Sequence, residues 1–193
     1  MASTFVMARQ PILDTRERFY GYELLFRPEV GAVAAGDGDG DQMALATLGG
    51  AFMDIGQQVA LGRYRGFVNL TREVLLSDVI EALPPRRIVL EVLETVAPSE
   101  SVRARCQDLR RKGYTVALDD YVDADPRESL LDVVDLVKVD IRQVRGRDLE
   151  RLARQLHAAR VDLLAEKVET REEYERCVDL GFRLFQGLSL IHI

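Results

Sequence analysis

The chain has 193 residues, 47% of them hydrophobic and 30% charged, and a formal net charge of −6; this describes one globular domain with its own core and does not suit a DNA-coating surface. Cys106 and Cys177 form no C-x-x-C pair, and the two histidines are His157 and His192, so a disulfide framework, a zinc knuckle and a histidine-based triad are all poorly supplied. No apolar run approaches the roughly 20 residues of a membrane span, and no basic segment leads into an apolar one at the start, which points to a soluble, cytoplasmic protein with no DNA or membrane partner.

In chain order, residues 4–13 and 18–27 read as a strand pair joined at 14–17, close enough for an antiparallel hairpin. A Gly/Ala/Asp loop over 31–41 leads to helical periodicity over 42–61. Residues 66–70 form a strand, and Thr71 caps a helix running to residue 83, stopped by Pro84 and Pro85. The strand 88–94 follows, then a helix opened by Pro98 and Ser99 and ended by Gly113. A strand over 115–121 precedes a loop and a short helix near 126–133. Next come a strand over 136–140, a helix over 147–160 and a strand over 161–168. Thr170 caps a helix over 171–180, Gly181 stops it, and 182–186 is the last strand. From Gly66 onward strand and helix alternate, so the strands are parallel with right-handed crossovers. With the opening pair this gives about seven strands, suiting either a doubly wound sheet or a (β/α) barrel. No G-x-G-x-x-G follows a strand, which leaves a dinucleotide site unsupported.

The strand ends carry the information. Apolar runs meet Glu23, Asn69, Glu91 with Glu94, Asp119 with Asp120, Lys138 with Asp140, Glu166, and Gln186. Charges within buried parallel strands are costly unless paired or metal-bound. One such residue is a strand end reaching water, but seven strand ends in series converge on one face if the sheet closes into a barrel. An oxygen-rich, histidine-free set suits Mg²⁺ or Mn²⁺. A pair of such ions would serve phosphoryl transfer, with Lys138 a positive charge near the water and Arg27 a fork for phosphate. A structural ion-pair network is the alternative reading of the same residues.

With these residues in view, the chain resembles the EAL domain, the bacterial cyclic-di-GMP phosphodiesterase module, from about Phe5 to Gly187. Gln10-Pro11-Ile12 is similar to the family's first-strand segment, and Glu23-Leu24-Leu25 stands in the signature, with Arg27 at its arginine. Asn69, the Glu91/Glu94 strand, the Asp119-Asp120 pair, Lys138 with Asp140, Glu166 with Glu169, and Gln186-Gly187 follow in the family's order. Residues 21–27 and 165–170 look most like the subgroup in which EAL precedes an HDOD domain.

The resemblance implies a (β/α)8 TIM-like barrel with an antiparallel first strand. It implies hydrolysis of cyclic-di-GMP to linear pGpG by two-metal-assisted in-line attack of water. Carried over, Glu23, Asn69, Glu91, Asp119, Asp120 and Glu166 hold Mg²⁺ or Mn²⁺, with Asp120 and Glu166 also in the catalytic set. Lys138 and Gln186 orient or activate the water, Gln10 and Arg27 touch substrate, and Glu94, Asp140 and Glu169 are supporting residues. A homodimer and a downstream HDOD domain are partners it allows. On this reading the barrel domain spans 4–187, residues 188–193 are a tail atypical of the family, and the closing helix is missing.

The chain departs from the family after Asp120, where Tyr121-Val122-Asp123-Ala124-Asp125-Pro126 replaces a glycine-bearing Phe-Gly-Thr-Gly-Tyr-Ser-Ser loop, and at Lys167, which stands where a glycine is usual. This keeps a second function in view: a weak or inactive module that binds cyclic-di-GMP or a protein partner as a regulator. A third is a proton-abstracting barrel enzyme with Lys138 as base. Other features read plainly. Residues 37–41 lack the Gly and Glu of a calcium loop. Arg103, Arg105, Arg110 and Arg111 read as a solvated helix face, His157 as a surface or half-buried helix residue, and both cysteines as reduced packing residues.

Overall fold

Asp14 makes the first reversal. Its carboxylate accepts the Arg16 and Arg18 N–H groups at 2.8 and 3.0 Å and pairs with the Arg18 guanidinium at 2.6 Å. Glu17 takes the left-handed conformation at φ 57°, and the chain folds back as an antiparallel pair, β1 (Phe5–Asp14) and β2 (Phe19–Pro28). The computed structural model describes residues 5–28 and 61–187. The loop 31–41 with its 37–41 acidic run, the helix 42–61 apart from Leu61, the tail 188–193 and His192 therefore lie outside the described residues.

Six parallel strands complete the sheet: β3 (Arg65–Leu70), β4 (Ile88–Val92), β5 (Thr115–Leu118), β6 (Leu136–Asp140), β7 (Asp162–Glu166) and β8 (Leu184–Gln186). They close in chain order into a barrel, and β1 runs antiparallel to both β2 and β8. All eight runs read as strands in the sequence are strands here, one more than the tally of about seven, and closure decides for the barrel over the doubly wound sheet. The described helices are α1 (Arg72–Leu76), α2 (Glu100–Arg111), α3 (Gly146–Ala158) and α4 (Arg171–Asp179). None of them is long and apolar enough to cross a membrane.

The period-two alternation of strands sorts the side chains into two cores. Outward residues pack under the helices, while Ile12, Phe67, Val89, Ala117, Leu136, Leu164 and Leu184 plug the barrel interior. Two residues further along each strand (two earlier on the reversed β1) stand Gln10, Asn69, Glu91, Asp119, Lys138, Glu166 and Gln186. The polar residues thus form the layer directly above an apolar plug, at the strands' C-terminal end.

Local chemistry sets the helix limits. Ser99 caps α2 through Val102 N–H, and just past the Lys112 C-cap Gly113 takes the left-handed conformation at φ 92° that glycine favours after a helix. Thr170 and Glu173 form a full capping box on α4. The helix expected from Thr71 to residue 83 stops at Leu76, and a 3₁₀ turn over Asp78–Ala82 follows. Ser77 ends it in an extended conformation, its hydroxyl bonded back to the Val74 carbonyl at 2.8 Å. The segment Pro126–Val133 is 3₁₀ rather than α. The arginines of α2 are not simply a solvated face. Arg105 donates to the Leu75 and Ser77 carbonyls, Arg103 pairs with Asp132 and Arg110 with Asp135, so they tie α2 to its neighbours. Cys106 and Cys177 are buried free thiols, as expected. His157 is exposed and its Nε2 lies 2.8 Å from the Leu180 carbonyl.

Gly187 is demanded by sterics. A Cβ there would fall 1.8 Å from the Val168 carbonyl oxygen, because the last strand and the β7 exit run backbone against backbone. The Val168 N–H donates to the Gln186 carbonyl at 3.0 Å across the same gap.

Candidate active site

Lys138, on β6, is the centre of the polar layer. Its Nζ lies 2.8 Å from Asp119 Oδ1, 2.9 Å from Glu91 Oε1, 3.1 Å from Glu166 Oε1 and 3.5 Å from Glu23 Oε2. One ammonium thus faces four carboxylates from β2, β4, β7 and the end of β5, and it is 1% exposed. Burial alone would lower its pKa, but Glu91, Glu166, Asp119 and Glu23 overcome that and hold it well above the usual lysine value. The group keeps its proton, which argues against Lys138 as a proton-abstracting base.

Glu23 is held from two further sides. Asn69 Nδ2 donates to Oε1 at 3.2 Å and Gln186 Nε2 to Oε2 at 2.6 Å. Gln10 sits opposite Glu23 across the β1–β2 pair. The Arg27 backbone pairs with Val6 on the same hairpin, and its side chain lies outside what is described.

Carboxylates outnumber cations here, and their acidities register it. Burial pushes Glu91 well above its ordinary value despite Lys138. Burial, only partly opposed by Lys138, lifts Glu166 to about 7. Burial and the neighbouring Asp119 charge raise Asp120. Several oxygens are buried with no hydrogen-bond donor: Asn69 Oδ1, Glu91 Oε2, Glu166 Oε2 and Gln186 Oε1. Buried acceptors without donors are rare in folded proteins, and these belong to the layer around Lys138. Each of Glu94, Asp119 and Asp120 also offers an oxygen within 4.8 Å of the others. An all-oxygen, histidine-free donor set of excess negative charge fits a hard divalent cation.

Of the supporting residues, Asp140 is buried and pairs with Lys167 Nζ at 2.5 Å. Burial would raise its pKa, but that pair, the Arg142 N–H and Gln143 bring it below its ordinary value. Lys167 thereby places a cation beside Asp120, at φ 58° where glycine is usual. Glu169 pairs with Arg142 at 2.9 Å and is well exposed, at the foot of α4. Glu94, read as a supporting residue, stands close enough to the aspartate pair to hold a cation jointly with it.

Sequence reasoning missed Arg127. Its guanidinium is 1% exposed and pairs with buried Asp125 at 2.7 Å. It donates to the carbonyls of Asp119 at 2.8 Å and Val92 at 3.2 Å. The available signal was Asp125 before Pro126, a helix N-cap pattern, since Asp125 does accept the Arg127 N–H at 2.7 Å.

A closed barrel with a ring of carboxylates, an asparagine and one lysine at its C-terminal mouth belongs to the class of scaffold that builds its sites from strand ends. Residues 56–192 match the EAL domain family, and the chain belongs to it. The cyclic di-GMP phosphodiesterase CdgJ of Vibrio cholerae is 35% identical over 97% of this chain and 44% of its own length. The uncharacterized protein YuxH of Bacillus subtilis is 33% identical over 94% of this chain and 45% of its own. The chain therefore spans less than half the length of these curated relatives. Among solved structures, Klebsiella pneumoniae BlrP1 in a manganese/cy-diGMP complex superimposes with a TM-score of 0.76 at 26% identity, covering 97% of this chain and 57% of that one. The EAL domain of Mycobacterium smegmatis DcpA shares the fold at TM-score 0.73 and 24% identity, covering 95% of this chain and 90% of that one.

Proposed function

We propose that this domain is a cyclic-di-GMP phosphodiesterase that hydrolyses one phosphodiester of its substrate to give linear pGpG. The carrying observation is the convergence of Glu23, Glu91, Asp119 and Glu166 on Lys138, with Asn69 and Gln186 fixing Glu23. Family membership and the phosphodiesterase named among its relatives support the same reading.

Glu23, Asn69, Glu91, Asp119, Asp120 and Glu166 would hold a pair of Mg²⁺ or Mn²⁺ ions, which when bound would supply Lewis acidity to the phosphate and to an attacking water. The chain's own residues do the positioning. Lys138 keeps four carboxylates from repelling each other apart and presents a fixed positive charge beneath the reacting phosphate. Gln186 holds Glu23 in place and leaves Oε1 free as an acceptor for the attacking water. Gln10 and Arg27, on the β1–β2 hairpin that borders the mouth, would grip the nucleotide, Arg27 as a fork for phosphate. The apolar plug beneath the polar layer keeps bulk water from entering through the barrel.

We read 4–187 as the catalytic barrel domain. The likeness of residues 21–27 and 165–170 to the HDOD-associated subgroup supports a further domain in the complete protein, in the cytoplasm.

The test is hydrolysis of cyclic-di-GMP by the purified chain with Mg²⁺ or Mn²⁺, followed by chromatography of the product. Production of pGpG that disappears in Glu23→Ala supports the reading. Folded protein that binds the nucleotide in a calorimeter without turnover would instead be a regulatory module, the function that the altered loop after Asp120 allows.

A further inference from the structure

The segment after Asp120 lacks glycines, yet it is not loosely held. Asp120 and Ala124 take left-handed conformations at φ 44° and 56°, which are costly for residues with a side chain and persist only under outside constraint. The constraint is the Arg127 guanidinium. Nε and Nη2 donate to the two Asp125 carboxylate oxygens at 2.9 and 2.7 Å. Nη1 reaches the Val92 carbonyl at 3.2 Å, and Nη2 reaches the carbonyls of Asp119 at 2.8 Å and Asp120 at 3.5 Å. The guanidinium centre lies 5.9 Å from the ring of Tyr121, itself buried. Asp125 neutralises the arginine, so its remaining donors are free to be spent on backbone.

Those backbone groups belong to the acidic cluster. Asp119 and Asp120 are two of the three residues whose oxygens approach within 4.8 Å, and Val92 lies two residues before the third, Glu94. Fixing the Val92, Asp119 and Asp120 peptide planes fixes the direction in which these carboxylates leave the chain. A planar fork can hold several carbonyls at once, whereas an ammonium is a point donor.

We propose that Asp125 and Arg127 are positioning residues that set the affinity of the Asp119–Asp120 carboxylates for a divalent cation, in place of a glycine-bearing loop. This rests on the metal-site reading above. Both side chains are buried, and Arg127 reaches the cluster through backbone carbonyls.

The experiment is calorimetric titration of the full chain with Mn²⁺, for wild type, Arg127→Lys, Asp125→Asn and Arg110→Ala. Arg110 pairs with Asp135 and donates to the Asp132 carbonyl, at the far end of the 3₁₀ segment from Arg127, so its variant reports loosening of that segment with the Arg127 fork left intact. Arg127→Lys is expected to weaken Mn²⁺ binding by about 10–100-fold, the usual effect of losing a group that orients metal ligands. Asp125→Asn keeps the side-chain shape and should weaken it likewise, and it carries the test if Arg127→Lys does not fold. Arg110→Ala should lower the melting temperature while keeping Mn²⁺ affinity within about twofold of wild type. Excess Mn²⁺ should return kcat of the Arg127→Lys enzyme to within about threefold of wild type, as a lost positioning effect allows. Unchanged Mn²⁺ affinity in a folded Arg127→Lys or Asp125→Asn protein, with wild type binding normally, overturns the proposal alone. No Mn²⁺ binding by wild type overturns the metal-site reading and the proposal with it.

Discussion

Gln186 and Glu23 are 163 positions apart, yet the amide Nε2 of one donates to the carboxylate Oε2 of the other at 2.6 Å. The second strand and the eighth thus share one side-chain contact across the barrel mouth. Gln186→Leu keeps the volume and removes the donor, leaving Oε2 with Lys138 at 3.5 Å. We expect a stability loss of about 1–3 kcal/mol, the cost of stranding a buried acceptor, together with a fall in kcat larger than any change in KM. Chemical denaturation and steady-state kinetics check the two parts.

Lys138→Met should have the largest effect on stability. Four carboxylates would lose their shared buried cation, and breaking a buried pair costs about 3–5 kcal/mol. A divalent cation supplies the missing charge, so saturating Mn²⁺ should stabilise the variant more than it stabilises wild type. For wild type, Mn²⁺ at a hundred times its Kd should add about 2.7 kcal/mol, reversed by a chelator. Melting curves with and without metal decide. If Mn²⁺ leaves both proteins unchanged, the cluster is a structural ion-pair network.

Alkaline stability should depend on the two cysteines. Burial lifts the Cys106 thiol to about 11 and the Cys177 thiol to about 12. In the unfolded chain thiols ionise near 8.5, so above that pH the unfolded state binds fewer protons and stability falls as pH rises. Each thiol contributes a slope of up to about 1.4 kcal/mol per pH unit between its two values. Cys106→Ala and Cys177→Ala should each flatten the decline between about pH 9 and 11, as urea midpoints will record. Native protein should also resist alkylation at pH 8, both thiols reacting only on unfolding.

Gly187→Ala tests the close approach at the last strand. The added Cβ meets a backbone oxygen 1.8 Å away, and a backbone atom cannot swing aside as a side-chain tip can. The exit of β8 must move, carrying Gln186 off Glu23. We expect a loss of several kcal/mol at a strained backbone site and activity reduced at least as far as in Gln186→Leu. A variant as stable and active as wild type would show that the strand end is free to shift.

The strand order was legible because its signals are local. Asp14 with Glu17, Pro98 with Ser99, and Gly113 and Gly181 mark reversals and caps within a few residues, and the polar residue interrupting each apolar run marks the barrel's mouth. The early stop of the helix after Thr71 was also local, but Ser77 is a weak competitor whose choice depends on its surroundings. What the sequence could not convey is which charge meets which. Lys138 looked like a single cation near the reacting water; its place amid four carboxylates exists only once β2, β4, β5, β6 and β7 curve round a common axis. Arg105 looked solvated for the same reason, since its carbonyl partners lie about 30 residues earlier. Arg127 was hidden more completely, because most of its acceptors are backbone carbonyls, which no residue type announces.

The reversed first strand has a kinetic consequence. Ile12 pairs with Gln186, so the ring is sealed only when a segment near one end of the barrel finds a segment near the other. Loop closure of that span is entropically the most demanding step available to this topology. Glu23 waits for Gln186 across the same seam, so the polar cluster and the seal form together. A nascent or partly opened barrel has neither, so a half-assembled domain would lack the cluster on which the proposed hydrolysis rests.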